Sequence, residues 1–146
     1  MRKIIYIRQL FYYILVVLLT SLSTIVLHEL GHFVFGLFSN CSEIKLVLID
    51  QKIYGSYTEM KCPAETNIII LAFTGLLFVL PISMIYLFFF KNFEKYIGLM
   101  IIGFNFIISV YDLKVYLKIP FADVFSLLGI IIVIFAEYRM VKRIVI

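Results

Sequence analysis

The chain has 146 residues, of which 64% are apolar and only 15% charged, with a mean hydropathy of +1.10 and a formal net charge of +4. A soluble domain near the usual half-apolar balance cannot hide that much hydrocarbon, so composition excludes one and defines an integral membrane protein. The positive charge sits at the ends of apolar runs, not in a stripe interleaved with stacking aromatics, which excludes nucleic acid as a partner and implies contact with the lipid bilayer.

A spanning helix takes about 20 mainly apolar residues. Four stretches qualify: Leu10 to Phe38, Asn67 to Phe90, Tyr96 to about Lys118, and about Phe121 to Met140. The expected fold is an all-α, multi-pass membrane protein of about four transmembrane helices with a short β-hairpin after the first. Residues 1–146 form one domain, placed in the cell membrane.

Arg2, Lys3 and Arg8 precede the first apolar run and imitate a secretory signal. The run is too long for one, and no small-residue cleavage site follows, so it reads as a retained helix. Its second half, "STIVLHELGHFVFGLF", holds both histidines of the chain. His28 and His32, four residues apart, lie about 40° around a helix and one turn up, so both imidazoles can meet one ion. Glu29 is turned about 100° from His28, out of the ligand set but beside a water on that ion. This is the H-E-x-x-H arrangement of two histidine ligands and a glutamate general base, and zinc suits it. Two histidines and six glutamates placed at random would produce it in about one sequence in two thousand. The competing reading is polar glue between helices. Against it stands the cost of ionisable groups at membrane depth, several kcal/mol, which usually marks function. Gly31, inside the motif, reads as a point of close helix approach.

The cluster "SNCS" closes this helix, and 43–61 is rich in Ile, Val and Tyr with partial alternation, Ile44, Leu46 and Leu48 falling on one side. Asp50, Gln51 and Gly55 supply turn chemistry, so a hairpin is expected there. Cys41 and Cys62 flank it. They can bond only on an oxidising side; the preferred expectation is two unrelated interfacial cysteines.

In the second helix Pro81 should kink the axis, and Thr74 and Ser83 are the polar intrusions. The third carries Asn105, Ser109 and Asp112, seven residues from end to end and on one stripe, which should face the interior. Pro120 suits the first turn of the fourth helix, with Asp123 just after it. Catalytic zinc has three protein ligands plus water. Cys41 lies beyond the helix end, and Asp50 reads as a solvated turn residue. Asp112 is the preferred third ligand, although Lys114 or Lys118 could hold it at the interface as a plain ion pair. Asp123 is the alternative, with a plain first-turn acid as its own competing role.

With these residues in place the chain resembles the site-2 protease family of intramembrane zinc metalloproteases. "VLHELGHFVFG" is similar to that family's first motif, and the order of motif helix, hairpin, second helix and third helix with Asn and Asp is similar over most of the chain. The second motif departs: Asp112 lacks the neighbouring Pro and Gly, and Asp123 has a Pro but is followed by Val124. The resemblance implies one Zn2+ ion held by His28 and His32, Glu29 as the catalytic base, and Asn105 as a substrate-binding residue. It also implies a hairpin that pairs with an unfolding membrane protein or peptide substrate.

The function expected is an intramembrane zinc metalloendopeptidase that cuts peptide bonds in or near transmembrane segments. Its alternative is a catalytically inactive member that binds or protects against a membrane peptide; a small transporter subunit ranks third. Orientation has two opposed signals. A cytoplasmic amino terminus puts eight Lys and Arg residues on the cytoplasmic side against five on the other. The resemblance, in which the metal lies nearer the cytoplasmic face, implies an external amino terminus, because His28 lies about 30 Å of helix beyond Arg8.

Overall fold

A computed structural model describes the backbone of residues 2–50 and 55–145, and the side chains of residues 8–47 and 56–142. The elements are α1 (Arg2–Phe38), β1 (Ser42–Asp50), β2 (Gly55–Lys61), α2 (Ile68–Phe89), α3 (Glu94–Tyr116) and α4 (Asp123–Val145). All four helices contain stretches long and apolar enough to cross a membrane, Arg8–Phe38, Ile68–Phe89, Glu94–Tyr116 and Asp123–Lys142. The expected class, four spanning helices with a hairpin after the first, is the architecture observed.

Turn chemistry ends α1 sharply. Asn40 takes a left-handed φ of 54°, and Cys41 N–H bonds back to the Gly36 carbonyl at 2.9 Å. That is a Schellman-type cap, which satisfies carbonyls the helix would otherwise leave open. The reversal sends the chain directly into β1.

β1 and β2 pair antiparallel, with Lys45 opposite Glu59, Leu46 opposite Thr58 and Val47 opposite Tyr57. A lone two-stranded ribbon is marginal in water, and this one leans on α1. Gly36 makes room for it, since a Cβ there would stand 3.1 Å from both Ile44 Cδ1 and Met60 Sδ. Of the expected turn, residues 51–54 lie outside the described residues, as does the side chain of Leu48. One expectation is overturned: Cys41 and Cys62 are not separate thiols but a disulfide. Ser42 and Lys61 are register partners, so the residues just outside them are brought side by side.

Asn67 caps α2, its Oδ1 accepting from the N–H groups of Ile69 at 3.0 Å and Ile70 at 3.2 Å. Pro81 lies inside α2, where its missing N–H deprives the Leu77 carbonyl of a partner. Thr74 and Ser83 donate to their own helix backbone, to Ile70 O and Leu80 O. Pro120 is not in the first turn of α4. It belongs to the tight turn ahead of Asp123, where Lys118 has a φ of 52° and Phe121 and Ala122 carbonyls take the first amides of the helix.

Small residues set the helix spacing, as expected where apolar lipid removes the hydrophobic drive between helices. Gly31 of α1 fits against α2, where a Cβ would come 2.7 Å from Phe78 Cβ and 3.0 Å from the Thr74 carbonyl. Gly103 and Gly129 face each other across α3 and α4, each too close to the other's carbonyl to admit a side chain. Away from the hairpin, Tyr96 and Met100 of α3 and Ala136 and Met140 of α4 form a buried cluster. Leu18, Leu22, Ile69, Phe88, Leu128 and Phe135 are among the large apolar residues left on the outside. So much exposed apolar surface on four helices of spanning length is what a bilayer, and not water, accommodates.

Candidate metal centre

The His28 and His32 rings leave α1 on one face, one turn apart, and both are buried. α3 brings Asn105, Ser109 and Asp112 up against them as one stripe, all three buried. The stripe read from the spacing is therefore the wall that α1 faces. Ser109 donates to the Asn105 carbonyl at 2.7 Å and is spent within its own helix.

Asn105 orders the centre. Its Nδ2 donates to the Leu76 carbonyl at 3.0 Å, which turns its Oδ1 toward His28 Nδ1 at 2.8 Å. A carbonyl oxygen only accepts, so His28 Nδ1 carries hydrogen and, in the neutral ring, Nε2 presents a lone pair. That Nε2 lies 2.7 Å from Asp112 Oδ2, itself an acceptor. His32 Nε2 is 3.0 Å from the same carboxylate oxygen and 3.4 Å from His28 Nε2. His28 Nε2 and Asp112 Oδ2, both acceptors, approach so closely only around a cation, either a proton or a metal ion, whereas His32, whose Nδ1 is buried without a hydrogen-bond partner, can meet Asp112 as donor or acceptor. His28, His32 and Asp112 are a buried group able to hold a metal ion, with one ligand atom from each within 4.8 Å of the others.

The two aspartates are separated by packing. Asp112 is 9% exposed and touches both histidines. Asp123 is on the surface, paired with Lys114 at 2.6 Å. Lys114, the residue that could have held Asp112 as a plain ion pair, is thus engaged elsewhere. Cys41 is committed to its disulfide. Asn105 has both ends of its amide taken by His28 and Leu76 and is fully buried.

Glu29 leaves α1 on the adjacent face and is 4% exposed. β2 reaches it: Thr58 Oγ1 lies 2.9 Å from Glu29 Oε2 and 3.1 Å from the Glu29 carbonyl, and Ser56 Oγ lies 3.3 Å from Oε1. Both hydroxyls donate, because a carboxylate only accepts. Behind the histidines, Gly75 of α2 carries no side chain where a Cβ would overlap the His28 ring, 2.6 Å from Cδ2. Tyr116, one turn beyond Asp112, places its ring 6.3 Å from that of His32.

Thr58, Ser56 and Gly75 escape the sequence reading. A glycine amid the large apolar residues of "FTGLLF" is the one local signal; the hydroxyls of β2 carry none, since only the docking of the hairpin on α1 gives them a partner.

No protein family, no curated protein and no solved structure matches this chain.

Proposed function

We propose that this protein is an intramembrane metallohydrolase that holds one zinc ion and hydrolyses a peptide bond in or beside a substrate's transmembrane segment, in the manner of the site-2 protease family that it resembles. The observation that carries the reading is the meeting of His28 Nε2, His32 Nε2 and Asp112 Oδ2 inside a four-helix membrane bundle, with Glu29 on the neighbouring face. Two imidazoles and one carboxylate are a donor set that zinc uses in catalytic sites. The two Nε2 atoms lie 3.4 Å apart and Asp112 Oδ2 lies 2.7 and 3.0 Å from them, so all three donor atoms are within reach of one ion that they would hold.

When bound, the ion supplies Lewis acidity to a water molecule and to the scissile carbonyl. His28, His32 and Asp112 would hold it, and Asn105 keeps the His28 ring in the tautomer that offers Nε2. Glu29 accepts the proton of the attacking water and hands it to the leaving amine. Thr58 and Ser56 fix the direction in which the Glu29 carboxylate points. A helix hides its backbone groups, so the substrate is a membrane protein or peptide that unwinds locally at the cut.

The test is a membrane-anchored reporter with a Gly-Pro break in its single span, produced with the protein or its Glu29→Gln variant. The native chain cleaves it, and the purified protein carries about one zinc per chain by elemental analysis, which His28→Ala and His32→Ala lose. Glu29→Gln should abolish cleavage while keeping the metal. A Glu29→Gln protein that still cuts sinks the catalytic assignment; metal-free native protein that keeps its effect on a membrane peptide supports a binding role instead.

A further inference from the structure

We infer that the hairpin end of the bundle faces an oxidising compartment, so that the metal centre opens away from the cytoplasm and the substrate is a membrane protein cut in the half of its span nearest that outer side. The substrate half of this statement rests on the metallohydrolase reading; the orientation does not.

The first observation is the Cys41–Cys62 bond. Structural disulfides form and persist where the compartment is oxidising and are kept reduced in the cytosol. This one joins the residue after the α1 cap to the residue after β2, and so fastens both ends of the hairpin whose Ser56 and Thr58 hold Glu29. It lies at the carboxyl end of α1, which sets the amino-terminal end of that helix on the opposite side.

The second observation is independent. With the hairpin outside, the cytoplasmic side receives Arg2, Lys3, Arg8, Lys91, Lys95, Arg139, Lys142 and Arg143, and the outer side Lys45, Lys52, Lys61, Lys114 and Lys118. An excess of Lys and Arg in short loops and helix ends marks the cytoplasmic face. Both observations reverse the orientation that the resemblance implies.

Depth follows from position along the helices. Asp112 is four residues from the end of α3 and His28 ten from the end of α1, about 6 and 15 Å at 1.5 Å per residue. Both ends belong to the hairpin side. An unwound peptide reaches these groups from the outer half of the bilayer, about 30 Å thick in its apolar part.

The test uses the full chain in sealed cells with a membrane-impermeant maleimide-polyethylene glycol. Without reductant the chain takes no label. After an impermeant phosphine reductant is added outside, it gains two labels, one on each cysteine. In unreduced chain, Lys91→Cys in the α2–α3 loop takes a single label only once the membrane is opened. Label on Cys41 or Cys62 without reductant, or only after permeabilisation, overturns the orientation. Two reporters, with the Gly-Pro break in the outer or the inner half of the span, then address the substrate. Cleavage of the outer one is the expected result, and cleavage of the inner one alone overturns the substrate claim. If labelling is as expected and neither reporter is cut, the substrate claim falls together with the hydrolase reading while the orientation stands.

Discussion

Thr58 is the residue at which the hairpin and α1 meet. Its hydroxyl has a single proton shared between the Glu29 carboxylate and the Glu29 carbonyl, and it is buried. Removing it leaves both acceptors of a buried glutamate to find other donors, a cost of about 1–3 kcal/mol per orphaned group. Under the proposed mechanism, Thr58→Val therefore lowers kcat on the reporter with little change in KM, and Thr58→Ser restores it. Restoration fails if the threonine acts only through the packing of its methyl group. Gly75 is the second such residue. Gly75→Ala drives a methyl into the His28 ring, so His28 must turn away from Asp112. Metal retention should then fall by at least the 10- to 100-fold typical of damage next to a ligand, measured by competition with a zinc chelator. Unchanged zinc affinity in Gly75→Ala would show that the ring has room the geometry denies it.

At the scale of elements, α3 is the organising helix. It packs against α1, α2 and α4, supplies Asn105 and Asp112 to the centre, and crosses α4 at the Gly103–Gly129 contact. That crossing has no tolerance for volume, because each Cβ position is occupied by the other helix's backbone. Gly129→Leu should destabilise the bundle by about 1–3 kcal/mol or more, the usual cost of overpacking. Thermal unfolding in detergent checks this, and a substitution at the neighbouring exposed position, Leu128→Ile, should leave the midpoint nearly unchanged. The contrast separates a tight helix crossing from general sensitivity of α4. The hairpin works as an element in the same way: the pairing of β1 with β2 brings Cys41 to Cys62, and its packing on α1 brings Thr58 to Glu29.

For the whole molecule, a metal ion held at the buried centre would couple binding to folding. Asp112 and the two histidines brought together between α1 and α3 have one proton or one metal ion to share, and an ion that binds only the folded bundle would add RT ln(1 + [L]/Kd) to its stability. Stripping the ion with a chelator should lower the unfolding midpoint, and zinc at about 100 times its Kd should restore about 2.7 kcal/mol. Asp112→Asn should lose that response. Asp123→Asn should keep it, since Asp123 is a surface partner of Lys114. A zinc response preserved in Asp112→Asn would remove the aspartate from the ligand set.

Much of this was legible in the chain itself. Four spans followed from hydrophobic length, because a bilayer offers no water to unpaired backbone and leaves helices as the economical answer. His28, Glu29 and His32 followed from helical geometry, in which residues one turn apart must share a face. The Asn105, Ser109 and Asp112 stripe followed from the same rule and faces the interior as read; that it meets the histidines there is a matter of packing. What spacing within one helix cannot determine is which helix faces which. Asp112 and Asp123 differ by packing alone: the first is buried against His28 and His32, and the second lies outside with Lys114. Thr58 over Glu29, the bare backbone of Gly75 behind His28 and the Cys41–Cys62 bond are likewise contacts between residues far apart in sequence. Only tertiary structure decides them, because each depends on the register of one element against another, and no local propensity encodes that register.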